Sequence, residues 1–224
     1  MTETYHFSSE QLIRTCPLPK SMFSHKSRES LTITASRIEP LSSLLKRNKK
    51  HLHYSIMEIL IESVGRQLHQ LEMENKAISS FNLDDITVFY ANDTDTDTDT
   101  TSIHFAITNE DKIHDIDDGH QLTISTPYQK EYTTTTTTTT TKNIAFHSPE
   151  FKEFISKKTI PYTLHFKSGY YSFGLLCMYC YVSRNIATGA PTEKELAPII
   201  NTKIYWFLRW ALHETPSERR YICV

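Results

Sequence analysis

The sequence predicts an α+β fold that is mainly helical. Three observations predict it: an amphipathic helical pattern over residues 52–73, a stretch apolar on every side over residues 170–182, and two alternating segments, 84–90 and 102–107, that read as one β-hairpin between those helices.

The elements follow in chain order. Residues 1–30 show no sustained period. Residues 30–35 alternate and read as a strand, and Pro40 ends the extended segment that follows. Residues 42–46 suit a short helix. In the long helix Ile56, Leu60, Val64, Leu68 and Leu71 form one apolar stripe, while Glu58, Glu62, Arg66 and Gln70 run down the other face, with Glu62 and Arg66 at i, i+4. Between the hairpin strands lies an Asp-Thr repeat. Its like charges repel and nothing apolar is available to bury, so residues 92–101 are expected to be a solvated loop. Its aspartates lack the central Gly and closing Glu of a calcium loop. The threonine run 133–141 is a second low-complexity loop. Residues 151–155 are a short amphipathic stretch. Residues 170–182 should form a helix buried on all sides. Leu196, Ile199 and Ile200 suggest a short helix, and residues 202–213 a longer one with Ile204, Tyr205, Phe207, Leu208, Ala211 and Leu212 inward. Pro216 marks a further helix start.

A chain of 224 residues supports one good core and is too short for two ordinary domains with linkers. Lys plus Arg is 24 against 26 Asp plus Glu, a net charge of −2, which gives no general reason to bind nucleic acid or an anionic membrane. Apolar residues are 38%, and even with the five glycines the total stays below the ~45–50% of an average domain, in part because of the two polar tracts. Eleven Phe and twelve Tyr argue against a disordered chain. The first residues show neither a basic segment nor an apolar one, so no signal peptide and an intracellular location are expected. The apolar run 170–182 is shorter than the ~20 residues that span a bilayer.

Cys177 and Cys180 form a C-x-x-C, but no second pair completes a zinc shell, so they read as small apolar residues of a buried helix. His114, Asp115, Asp117, Asp118 and His120 could gather a metal; their charge density and Gly119 suit an exposed turn better. The basic run 46–51 reads as a charged connection between helices. No metal and no cofactor are expected. No G-x-S-x-G elbow is present to carry a Ser-His-Asp hydrolase.

Five stretches in order, residues 30–41, 81–88, 146–150, 171–174 and 216–219, carry motifs that resemble those of the eukaryotic protein kinase family, over roughly residues 30–224. Phe146-His147-Ser148-Pro149-Glu150 is similar to the Ala-Pro-Glu that closes the activation segment. Tyr171-Ser172-Phe173-Gly174 is similar to the Trp-Ser-x-Gly of the central buried helix. Pro216-Ser217-Glu218-Arg219 is similar to a late Pro-x-x-Arg. Residues 30–41 resemble the last N-lobe strand and the hinge, with Glu39 and Leu41 hinge-like, and residues 81–88 resemble the catalytic loop and its following strand. The chain also resembles degenerate kinase-like proteins of large DNA viruses, including the run Thr202-Lys203-Ile204-Tyr205-Trp206-Phe207. The resemblance implies a protein-kinase-like C-lobe over residues 39–224. Residues 1–38 would be an N-terminal remnant ending in the hinge-like strand, so the N-lobe is truncated or missing. It further implies an ion pair between Glu150 and Arg219, and structural roles for Ser172 and Gly174.

The same resemblance implies an inactive protein. Phosphoryl transfer needs a glycine-rich cover over the phosphates, and no glycine precedes Gly65. The parts ahead of the hinge need about 60 residues, and only 38 precede Glu39. Ser80 stands at the catalytic aspartate's position and Asp85 at the metal-binding asparagine's, with Asp84 beside it; a serine is no useful base near neutral pH. Asn109 and its neighbours replace Asp-Phe-Gly. Gly169 replaces the aspartate that braces the catalytic loop. The sequence therefore points to a catalytically inactive, kinase-like module with a protein-binding or scaffold role, no ATP binding, no nucleic acid and no membrane. A structural, virion-associated protein and an atypical active kinase are the alternatives.

Overall fold

The computed structural model describes residues 2–49, 51–92, 101–125, 145–182 and 193–221. In chain order the elements are β1 (Glu3–Phe7), α1 (Glu10–Arg14), β2 (Phe23–Lys26), β3 (Leu31–Ala35), β4 (Arg37–Pro40), α2 (Leu41–Arg47), α3 (Tyr54–Met73), β5 (Lys76–Ile78) and β6 (Phe81–Asn82). There follow β7 (Ile86–Asn92), β8 (Thr101–Ile107), β9 (Ile113–Asp115), β10 (Gln121–Ile124), β11 (Ala145–Phe146), α4 (Pro149–Lys157), β12 (Tyr162–His165), α5 (Ser168–Val182), α6 (Glu193–Leu196) and α7 (Lys203–Ala211). The Asp-Thr repeat at 93–100, the threonine run and Cys223 lie outside the described residues.

The fold is α+β but not mainly helical. Among the described residues helices account for 45% and strands for 27%, in several small antiparallel sheets, and nothing in this arrangement speaks for a kinase C-lobe. The N-terminal residues are built into the same body. β1, β3 and β2 form a sheet in that order, and the alternation of β3 turns Leu31, Ile33 and Ala35 inward. Phe7, Leu31 and Ile33 belong to the same core as Leu60 of α3 and Phe173 of α5. A cluster that continuous makes the first 35 residues part of the main body.

The second three-stranded sheet runs β4-β7-β8, with Glu39 opposite Val88 and Ile86 opposite Ile107. The long helix α3 packs along β8, burying Leu60, Val64, Leu68 and Leu71 together with Met57, Ile61 and Gln67. Gln67 is the unexpected member. Fully buried, it donates to the Ile107 carbonyl at 3.2 Å and accepts the Ile107 N–H at 2.7 Å. One side-chain amide thus replaces the missing strand neighbour at that point of the sheet's edge.

Helix α5 is apolar all round because it is enclosed all round: Phe173, Leu176, Cys177 and Cys180 are fully buried between α3 and α7. Gly174 permits the approach of α7, since a Cβ there would lie 2.9 Å from Leu212 Cδ2. A smaller core beneath α4 joins Phe151 and Phe154 to Leu122, Ile124 and Leu164 of the β10–β12 pair.

Candidate functional site

Apart from the hinge-like pair, the motif residues fall at two places. The first is the segment between β5 and β7. Ser79 and Ser80 are buried at its start. Phe81 and Asn82 pair with Phe146 and Ala145 of β11, which fixes the path of the chain. One turn of 3-10 helix, Leu83–Asp85, then leads into β7.

Asp85 is 4% exposed and its carboxylate is fully engaged. Oδ2 accepts the Asn82 backbone N–H at 2.6 Å and the Lys112 ammonium at 2.7 Å. Oδ1 accepts from the Asn109 amide at 2.7 Å. The hairpin explains the meeting. Ile86 pairs with Ile107, and the Thr108 N–H continues the ladder to the Asp85 carbonyl, so residues just beyond β8 arrive beside Asp85. Lys112 therefore stands where a cation bound to Asp85 would stand. Its neighbour Asp84 is exposed and accepts from the Ser42 hydroxyl.

Burial disfavours a further positive charge on the two histidines nearby. His147, stacked on Phe151 at 4.7 Å between ring centres, is pushed down to about 4 by burial, with Lys112 and Lys152 adding to the effect. His114 is also held below its ordinary value by burial, and its Nε2 lies 3.2 Å from Ser79 Oγ. The sign for stability follows directly. A histidine whose pKa is lowered by folding binds fewer protons folded than unfolded. Stability from His147 is therefore complete above pH 6.5 and is lost as pH falls toward 4, by at most about 1.4 kcal/mol per pH unit. Urea unfolding between pH 7 and 4 should show this fall, and His147→Gln should flatten it.

Gly169, at the start of α5, faces the same segment. A Cβ at Gly169 would lie 2.3 Å from the Ile78 carbonyl oxygen. No larger side chain fits here, and the backbone of β5 meets the helix directly.

The second place joins α4 to the C-terminal segment. Ser148 caps α4 by accepting the Phe151 N–H at 3.2 Å, and Pro149 occupies the first turn, where no N–H is needed. Glu150 then meets Arg219, Nη1 to Oε1, at 2.6 Å. The Arg219 side chain is wholly buried. It also donates to the carbonyls of His213, at 2.9 Å, and Glu214, at 3.2 Å, and lies 4.7 Å over the Tyr171 ring. Ser172, one residue along, is fully buried in α5.

The hinge-like residues are committed elsewhere. The buried Glu39 carboxylate lies 2.7 Å from both Arg37 and Arg47 and accepts the Tyr90 hydroxyl at 2.6 Å. Burial, aided by Glu39, pushes that hydroxyl up to about 12. The Ile38 N–H donates to the Glu3 carboxylate of β1, and Leu41 is fully buried.

The remaining sequence candidates resolve simply. Cys177 and Cys180 are buried thiols raised by burial. Asp117 accepts the N–H groups of Gly119 and Gln121 and so holds a turn. Among the described residues no group of three or more His, Cys, Asp or Glu converges as a metal site, and no helix is long and apolar enough to cross a membrane. Lys112 is the member of the first site that motif reading does not supply; the hairpin register brings Asn109 to Asp85, whereas nothing local marks Lys112. No protein-family model matches the chain, and no curated protein shows significant similarity to it.

Proposed function

We propose that the chain is a catalytically inactive, kinase-like module that works inside the cell by binding a protein partner, as a scaffold. The kinship rests on motif residues and not on the fold. One observation carries the absence of chemistry: the only acidic residue positioned by the motif as a metal ligand, Asp85, is buried and already holds Lys112, Asn109 and a backbone N–H. A divalent ion would have to displace an ammonium held at 2.7 Å. Ser80 is buried and supplies no base near neutral pH.

The test is a phosphotransfer assay with the purified chain, magnesium, labelled ATP and basic protein substrates. No transfer is expected above that of a mock preparation. Transfer abolished by Asp85→Ala would overturn the reading.

A further inference from the structure

Helix α7 buries Ile204, Phe207, Leu208 and Ala211, and its other side is unusual for a solvated helix face. Trp206 is 43% exposed, and Ile200, just ahead of the helix, is 57% exposed. Lys203 and Arg209 are exposed on the same helix. Tyr205 meets Trp206 edge-on with ring centres 5.2 Å apart, and the Arg220 guanidinium lies 5.5 Å from the Trp210 ring. Helical spacing brings Lys203, Trp206, Arg209 and Trp210 onto one side. The ion pairs formed among the described residues involve other cations, so Lys203, Arg209 and Arg220 have no carboxylate there.

An exposed indole leaves a large apolar surface wet, and Trp, Tyr and Arg are the residues that anchor protein interfaces. Unpaired cations around indoles call for carboxylates on the other side. Single-stranded nucleic acid would need open ring faces and a basic groove. Here Tyr205 packs on Trp206, Arg220 covers Trp210, and the chain's net charge is −2. Resting on the binding-module reading above, we infer that the α7 face, centred on Trp206 and Arg209, docks a partner segment that combines carboxylates with large apolar side chains.

The probe is a fluorescein-labelled fourteen-residue peptide (about four helical turns) alternating glutamates with leucines and phenylalanines. Controls are the same peptide with lysine for glutamate and a labelled oligouridine. Anisotropy should rise saturably with the acidic peptide only, and affinity should fall at least tenfold with Trp206→Ala and with Arg209→Glu. Lys20→Glu, at an exposed position of the N-terminal segment, should bind as the parent does. Circular dichroism melts establish that each variant is folded, and Lys203→Glu serves if Trp206→Ala is not. No binding of the acidic peptide, tighter binding of oligouridine, or equal binding by the folded α7 variants would each overturn the inference. The phosphotransfer reading is judged separately, so a failed titration leaves it standing, and detected transfer leaves the α7 result intact.

Discussion

Replacing Arg219 with alanine should lower stability by about 3–5 kcal/mol, the cost of leaving one partner of a buried pair uncompensated. The side chain is wholly enclosed and makes a 2.6 Å contact to Glu150, two hydrogen bonds to carbonyls and a contact with the Tyr171 ring. Truncation strands the Glu150 carboxylate, whose Oε2 is already buried without a hydrogen-bond partner. It also leaves the carbonyls of His213 and Glu214 without their donor. Glu150→Ala should cost less, because Arg219 keeps both carbonyls and the ring. The double variant should therefore be more stable than the sum of the single losses implies, and a cycle of urea unfolding measurements reads the coupling. Additive losses would show that the pair does not tie α4 to the C-terminal segment.

The second large effect concerns Asp85. A residue kept for chemistry is often a burden on the fold, and its removal is then neutral or stabilising. The geometry here predicts the reverse. Asp85→Ala removes the acceptor of the Asn82 N–H, the Asn109 amide and the Lys112 ammonium at once. An unsatisfied buried N–H alone costs about 1–3 kcal/mol, and the stranded cation raises the total to roughly 3–5 kcal/mol. Lys112→Met should also destabilise, and combining the two should recover part of the loss. Thermal unfolding of the four proteins decides it; an Asp85→Ala variant as stable as the parent would show that the carboxylate is not a structural element.

Much of this architecture was legible where one element carries its own long signal. The stripe of α3 names Leu60, Val64, Leu68 and Leu71, and the unbroken apolar run of α5 announces a helix with no wet face. The stripe is nevertheless narrower than the buried face. Met57 and Ile61 are buried too, Ile56 is only partly so, and Gln67 goes inside because β8 needs a partner for its edge. The error in fold class has a similar cause. β2, β5, β9, β10 and β12 are strands of three or four residues, and several are half exposed. So short a segment shows no decisive period, and its pairing is set by a distant partner, as β10 depends on β12. In the site, the motif resemblance leads to Asp85, Glu150 and Arg219. It does not lead to Lys112, whose position depends on the turn after β8, nor to Gly169's contact with Ile78, which only the packed helix creates.

The central claim is that the Asp85 site holds an internal cation and has no place for a metal–nucleotide complex. Isothermal calorimetry of the purified chain with magnesium and ATP tests it most directly, run on the parent and on Asp85→Ala. Neither protein should give measurable heat of binding: Lys112 occupies the carboxylate, Glu39 is tied to Arg37 and Arg47, and Glu3 takes the Ile38 N–H. Micromolar, magnesium-dependent binding by the parent that disappears in folded Asp85→Ala would contradict the account.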